Sequence, residues 1–387
     1  MRLSHFLNVT LAAAGVIKTQ QQIPIVGNVV PDAGMEVAQS KAKDVTGDSL
    51  AMVGIHFTSS YAVASVRYPN GTVRYLARVS GDAGYIDLMS RFVDTWRLGG
   101  LPDPQKRLKR HECIKALLGS SKDDTTGIPL PQDVDTLTTI MKDMRKVVEP
   151  ELNAPMPNVA ITVPRMPEYL QEEFQEPLRL SGLESARAKL ERIDTPVYQE
   201  SNAAYAGLGY GLCRAALEDC SSNSQVNEHD NVLYLNFDNS SFSAGVMALQ
   251  NAYQDHVMYT YATNVDLGWW NLPVFEAPRA KFWAQIHAMI TTALEGWAEY
   301  KEPIIRVMLV GDHGADEELA EVVHQVMLGK CVADAYAVDR SVNSEEVTYL
   351  AARGASEMEW HMDGLRYTRQ TELQRSRERM LDYEGDE

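Results

Sequence analysis

Apolar and polar positions alternate in two different rhythms along this chain, and the order of the rhythms repeats. From Met52 the segment MVGIHFTSSYAVASV reads as an apolar strand, a turn of small residues and a second strand. Pro69-Asn70-Gly71 marks the next turn, and the β pattern continues from Gly71 to Ser80. Helical spacing follows over about 84–98, 105–118 and 132–149. A buried-strand run, Asn158–Val163, ends at Pro164. An amphipathic helix is predicted over 167–182, and a small-residue helix over 199–211 that stops at glycines.

The cycle then starts again. Strands are predicted over 232–237 and 242–248 around the turn Asn239-Ser240-Ser241, with a third over about 256–264. A helix rich in Ala, Trp and Met spans about 276–299. Strand 304–310 and helices 315–327 and 345–360 follow. A strand meander, helices and a buried strand, met twice in the same order, predict two similar lobes facing a cleft, although the halves share no visible identity. The boundaries are 49–212 for lobe I and 228–362 for lobe II, whose end packs back on lobe I. Residues 1–48 read as a signal-like segment and flexible lead-in, and 363–387 as a charged tail.

Composition changes this picture little. A net charge of −17 over 387 residues excludes the basic face that a phosphate backbone requires, so no nucleic-acid partner is expected. No run is apolar and long enough to span a membrane. Ser4–Ile17 is uncharged after Arg2, with Ala12-Ala13-Ala14 as a cleavage-like site, so secretion is expected, with a cytoplasmic chain the alternative. Asn70-Gly71-Thr72 and Asn239-Ser240-Ser241 are glycosylation triplets. Cys113, Cys213, Cys220 and Cys331 form no CxxC pair, and no metal site is expected. Cys213 and Cys220 can close a local disulfide or remain two free thiols. Trp269, Trp270, Trp283 and Trp297 read as core anchors, Trp269-Trp270 also as a partner contact; His256, His287 and His313 read as structural.

Short motifs in a fixed order carry a resemblance. Gly54-Ile55-His56-Phe57-Thr58-Ser59-Ser60 is similar to a first phosphate loop, Gly-Ile-Asp-Leu-Gly-Thr-Thr. Thr162-Val163-Pro164 with Ser181-Gly182-Leu183, and Glu200-Ser201-Asn202-Ala203-Ala204 with Tyr210-Gly211-Leu212, follow in place. Asn236-Phe237-Asp238-Asn239-Ser240-Ser241-Phe242 is similar to a second phosphate loop, Asp-Leu-Gly-Gly-Gly-Thr-Phe. Leu309-Val310-Gly311-Asp312-His313 is similar to an adenosine loop, and Ala351–Ala355 to a connecting helix. Over about 50–356 the chain resembles the nucleotide-binding domain of the seventy-kilodalton heat-shock chaperones, within the actin-like ATPase superfamily. That resemblance implies an α/β, ribonuclease H-like duplicated two-lobe fold with a central cleft. It implies nucleotide-binding positions at Thr58, Ser59, Ser60, Asn236, Asn239, Ser240, Ser241 and Gly311, with Glu200 as the water-orienting acid.

The departures decide the expected function. Phosphate loops use glycine so that backbone N–H groups can approach the anion, but Thr58 replaces the first loop's glycine and Asp238, Asn239 and Ser240 replace three in the second. A carboxylate at Asp238 beside phosphates would cost several kcal/mol. The magnesium-holding carboxylates are His56 and Asn236, poor partners for a hard cation. The stretch Gly268–Leu309 has room for one long helix in place of most of the adenine-clamp insertion, and no substrate-binding segment follows. The expectation is a pseudo-ATPase serving as a protein-binding or scaffold module, with an unidentified protein partner. The alternatives are an unusual magnesium-dependent ATPase using ATP and magnesium, Ser59, Ser60, Ser241 and Glu200, or a sugar kinase on the same fold.

Overall fold

Two mixed sheets, each covered by helices, are formed by strand patterns of the same order. In the computed structural model the described residues are 51–94, 132–156, 158–187, 195–212, 229–253, 258–298, 303–304, 306–329, 337–339 and 345–362. The predicted helix at 105–118, the N-terminal segment, the four cysteines, His256 and the charged tail lie outside them.

The first sheet contains β1 (Met52–Phe57), β2 (Tyr61–Arg67), β3 (Val73–Ser80), β4 (Asn158–Val163), β5 (Glu184–Ser185) and β6 (Tyr198–Gln199). Its order is β3-β2-β1-β4-β5, with β6 also on β4. The second contains β7 (Asp230–Phe237), β8 (Phe242–Leu249), β9 (Met258–Asn264), β10 (Arg306–Val310) and β11 (Ala337–Asp339), ordered β9-β8-β7-β10-β11. The sense also matches. β1 and β7 each pair antiparallel with the next strand and parallel with the strand that returns after the helices. Each meander carries one irregularity between its second and third strands, at Ala64/Ser65 and at Val246/Met247.

The helices explain the burial. On the first sheet lie α1 (Ala83–Asp94), α2 (Gln132–Leu152) and α3 (Gln175–Ser181); Ile55, Phe57, Ile161 and Val163 pack under Leu88, Leu137, Met144 and Phe174. The helix expected over 167–182 is broken by a 3-10 turn at Glu172–Phe174. Pro177, which lacks an N–H and clashes with the preceding turn, fits only the first turn of a restarted helix. The second sheet packs Leu233, Leu235 and Val307 against α5 (Glu276–Trp297) and α6 (Glu317–Gly329) through Phe282, Ile286, Ile290 and Val323.

Two small-residue helices join the sheets: α4 (Glu200–Gly207) and α7 (345–362). Ala203 and Ala206 pack with Ala160 and Tyr198 of the first sheet, and Ala204 and Tyr205 with Tyr234 and Met308 of the second. Ala352 of α7 meets Tyr61 and Val63. The crossing is close: a Cβ on Gly354 would lie 1.6 Å from the Ala203 carbonyl oxygen. Alanine and glycine occupy this seam because larger side chains would hold the helix backbones apart. Both sheets belong to one unit, Ser49–Glu387. Among the described residues no helix is long and apolar enough to cross a membrane.

Candidate functional site

The β1–β2 and β7–β8 turns come together with the end of β10, and every candidate residue named from the sequence lies at this junction or beside it. Thr58, Ser59, Ser60, Asp238, Ser240 and Ser241 are all buried.

The first turn is closed on itself by Thr58. Its Oγ1 accepts hydrogen bonds from the Ser60 amide at 3.1 Å and the Tyr61 amide at 3.0 Å, and donates to the Tyr61 carbonyl at 3.0 Å. The Thr58 amide itself donates to the Tyr61 carbonyl. Glycine at this position would leave those amides available to an anion; threonine engages them locally. The second turn behaves alike, with the Asn239 amide bonded to Asp238 Oδ1 at 2.7 Å and the Asp238 amide to the Ser241 carbonyl.

The turns are then joined to each other. Ser59 Oγ donates to Asp238 Oδ2 at 2.8 Å and accepts from Ser240 Oγ at 2.8 Å, with Ser241 Oγ 3.2 Å away. One hydroxyl thus meets three side chains of the opposite turn. Burial and the nearby Asp312 carboxylate push the Asp238 carboxyl up from its ordinary 3.8 to about 6, against the Ser59 and Asn239 hydrogen bonds that lower it.

Asp312 forms a second latch. It accepts a two-pronged contact from Arg78 of β3, at 3.0 and 2.5 Å, and further bonds from Asn239 Nδ2 at 2.5 Å and Thr348 Oγ1 at 3.1 Å. Arg78 lies over the Tyr61 ring, 3.9 Å from its centroid. One carboxylate therefore ties β3, the β7–β8 turn and α7 to the end of β10. Gly311, at φ 89°, makes the turn before it; a Cβ there would sit 2.2 Å from Asn236 Oδ1. His313 stacks on Trp269 at 4.1 Å with an interplanar angle of 9°, its Nε2 3.0 Å from Asn239 Oδ1. Trp283 and Trp297 are core residues, whereas Trp270 is 57% exposed.

Below the turns, His56, Glu200 and Asn236 meet at one oxygen. Glu200 Oε1 accepts from Asn236 Nδ2 at 2.8 Å and lies 3.1 Å from His56 Nε2. All three side chains are buried. Burial raises the Glu200 carboxyl, but His56, followed by Tyr234 and the Asn236 amide, outweighs it and holds the group below the ordinary range. These positions, which the resemblance assigned to two metal carboxylates and a water-orienting acid, meet at Glu200, through a hydrogen bond from Asn236 and a close approach of the His56 ring. Among the described residues no group of three His, Cys, Asp or Glu side chains is arranged to hold a metal ion.

Arg78, Tyr61 and Thr348 were not legible as site residues. Arg78 lies on an edge strand in a string with no motif, and only the fold carries it to Asp312 across 234 positions. The sequence matches no protein-family model, and a search of curated proteins gives no match.

Proposed function

We propose that this chain is a two-lobed, ribonuclease H-like domain of the actin-like ATPase type whose cleft has been converted from a nucleotide site into an internal brace. In this reading it serves as a protein-binding or scaffold module rather than an ATPase. The matched order and sense of the two sheets support the duplicated fold. The observation that carries the functional reading is the contact of Ser59 with Asp238, Ser240 and Ser241, at 2.8 to 3.2 Å.

Phosphate binding by such turns depends on outward backbone amides and space between them. Here Thr58 and Asp238 engage amides of their own turns, and the side chains of the two turns fill the gap between them. A triphosphate would have to break those bonds and approach the Asp238 carboxylate, which is negative at pH 7. Magnesium finds no carboxylate pair in this arrangement, because His56 and Asn236 already engage Glu200. The residues present therefore do not fit Mg-ATP.

Phosphate release from Mg-ATP tests this reading. The purified chain is expected to match the blank, and Glu200→Gln to leave the trace unchanged. Turnover that Glu200→Gln abolishes would overturn the proposal and restore an ATPase with unusual ligands.

A further inference from the structure

The two glycosylation triplets named from the sequence fall in opposite surroundings. Asn70-Gly71-Thr72 lies on the hairpin turn between β2 and β3, and Asn239-Ser240-Ser241 at the buried junction of the β7–β8 turn. Both satisfy Asn-x-Ser/Thr with a middle residue other than proline. A third such string, Asn8-Val9-Thr10, belongs to the signal-like segment outside the described residues.

The hairpin turn holds Asn70 at the surface. Pro69 fixes its own φ, the Gly71 amide donates to the Tyr68 carbonyl at 3.0 Å, and the Tyr68 amide to the Thr72 carbonyl at 2.9 Å. Gly71, at φ 92°, completes the loop in the left-handed conformation. Arg67 anchors its base, with Nε on Glu357 at 2.9 Å and the guanidinium 4.5 Å from the Trp360 ring centre. Pro69, Asn70, Gly71 and Thr72 are all exposed. Asn70 Oδ1 accepts from the Thr72 amide at 2.9 Å, which orients the carboxamide; among the described residues nothing engages Nδ2, the atom that would carry a sugar. Asn239 is the reverse case. Its Nδ2 donates to Asp312 Oδ2 at 2.5 Å, and its Oδ1 lies 3.0 Å from His313 Nε2. A sugar on that nitrogen would displace Asp312 and stand among Asp238, Ser240 and Ser241, which are buried.

We infer that Asn70 is an N-glycosylation site of this chain and that Asn239 is not. The inference rests on the secretion expected from the N-terminal segment and is independent of the reading of the cleft. The sugar donor is an oligosaccharide linked through pyrophosphate to a membrane lipid, supplied with its transferase by the secretory compartment. In the transfer Asn70 Nδ2 bonds to the anomeric carbon and the bond from that carbon to the pyrophosphate oxygen breaks. The lipid pyrophosphate leaves with the electron pair, and Nδ2 gives up one proton to a base. The Thr72 hydroxyl supplies the last element of the triplet. The glycan would stand at one end of β3, the edge strand of the first sheet, where a bulky hydrophilic group hinders strand addition by other chains.

Peptide mapping of the full chain expressed in a eukaryotic host tests it, with and without a glycosidase that cleaves the Asn–sugar bond. Most Asn70 peptides from the culture medium are expected to carry an oligosaccharide, and the Asn239 peptide none. Thr72→Ala changes one exposed side chain, so the variant should still be secreted, but with Asn70 bare. Thr72→Ser keeps the hydroxyl and should keep the glycan. A chain that stays in the cytosol would overturn the premise of secretion, whereas a secreted chain with Asn70 bare would overturn the site itself. A glycan on Asn239 of the secreted chain, or one on Asn70 that survives Thr72→Ala, would overturn the inference equally.

Discussion

Replacing Glu200 with alanine is expected to cost about 3–5 kcal/mol of folding stability, measured by urea unfolding at pH 7. The carboxylate accepts a hydrogen bond from Asn236 on β7 and lies 3.1 Å from the His56 ring on β1, two buried side chains that arrive from different sheets. Alanine removes the acceptor of Asn236 and the charge beside His56 in an environment that water does not reach, so the desolvation cost of each goes uncompensated. Glu200→Gln keeps an oxygen for Asn236 and should lose less than half as much. A solvent-facing catalytic acid would behave differently, since its removal usually changes stability little. A loss below about 1 kcal/mol for the alanine variant would show that the triad does not brace the fold.

Asp238→Asn is expected to do the opposite and stabilise the protein at neutral pH. A carboxyl whose folded value lies near 6, against an ordinary 3.8, holds its proton more tightly in the folded state. Between those values the folded chain binds more protons than the unfolded one, so this group's contribution falls as pH rises and its penalty is complete above about pH 6. The gap corresponds to about 3 kcal/mol. Asparagine can replace the carboxyl without leaving partners unmet. Its Oδ1 accepts from the Asn239 amide, its Nδ2 donates to Ser59, and Ser59 turns its hydrogen toward Ser241. The variant should gain about 2–3 kcal/mol over wild type at pH 8, under about 1 kcal/mol at pH 4 and nothing below about pH 3. Glu200 contributes with the reverse sign, its stability being present above the ordinary carboxylate range and lost as pH falls through its lowered value. Comparing variant with wild type at each pH removes that contribution, and the lowered His313 value as well. A variant less stable than wild type at pH 8 would contradict the assignment.

The long strands were legible as continuous apolar runs, buried throughout, and the long helices because each buries one face. The elements 52–57, 242–249 and 276–297 match the ranges expected from the sequence to within one or two residues. The two-residue strands β5 and β6 and the three-residue β11 were not, since such runs have no period to read. In the site, the turn positions were named through the resemblance, which sets two phosphate loops between these strands, and the expected loss of phosphate binding is what the proposal carries forward. The contacts that the turn side chains make were hidden. Thr58 capping its own turn is a local event, but Ser59 meeting Asp238 spans 179 positions and Arg78 meeting Asp312 spans 234. Such pairs exist only once two sheets have been brought together, and no local string of residues records them.

The central claim is that the turns are closed against nucleotide, and thermal unfolding with and without millimolar Mg-ATP or Mg-ADP tests it most directly. A ligand at 100 times its dissociation constant stabilises a fold by about 2.7 kcal/mol, a clear rise in melting temperature. The account predicts coincident curves in all three conditions. A magnesium-dependent rise with either nucleotide would contradict it and show that the Ser59–Asp238 contact opens to admit phosphates.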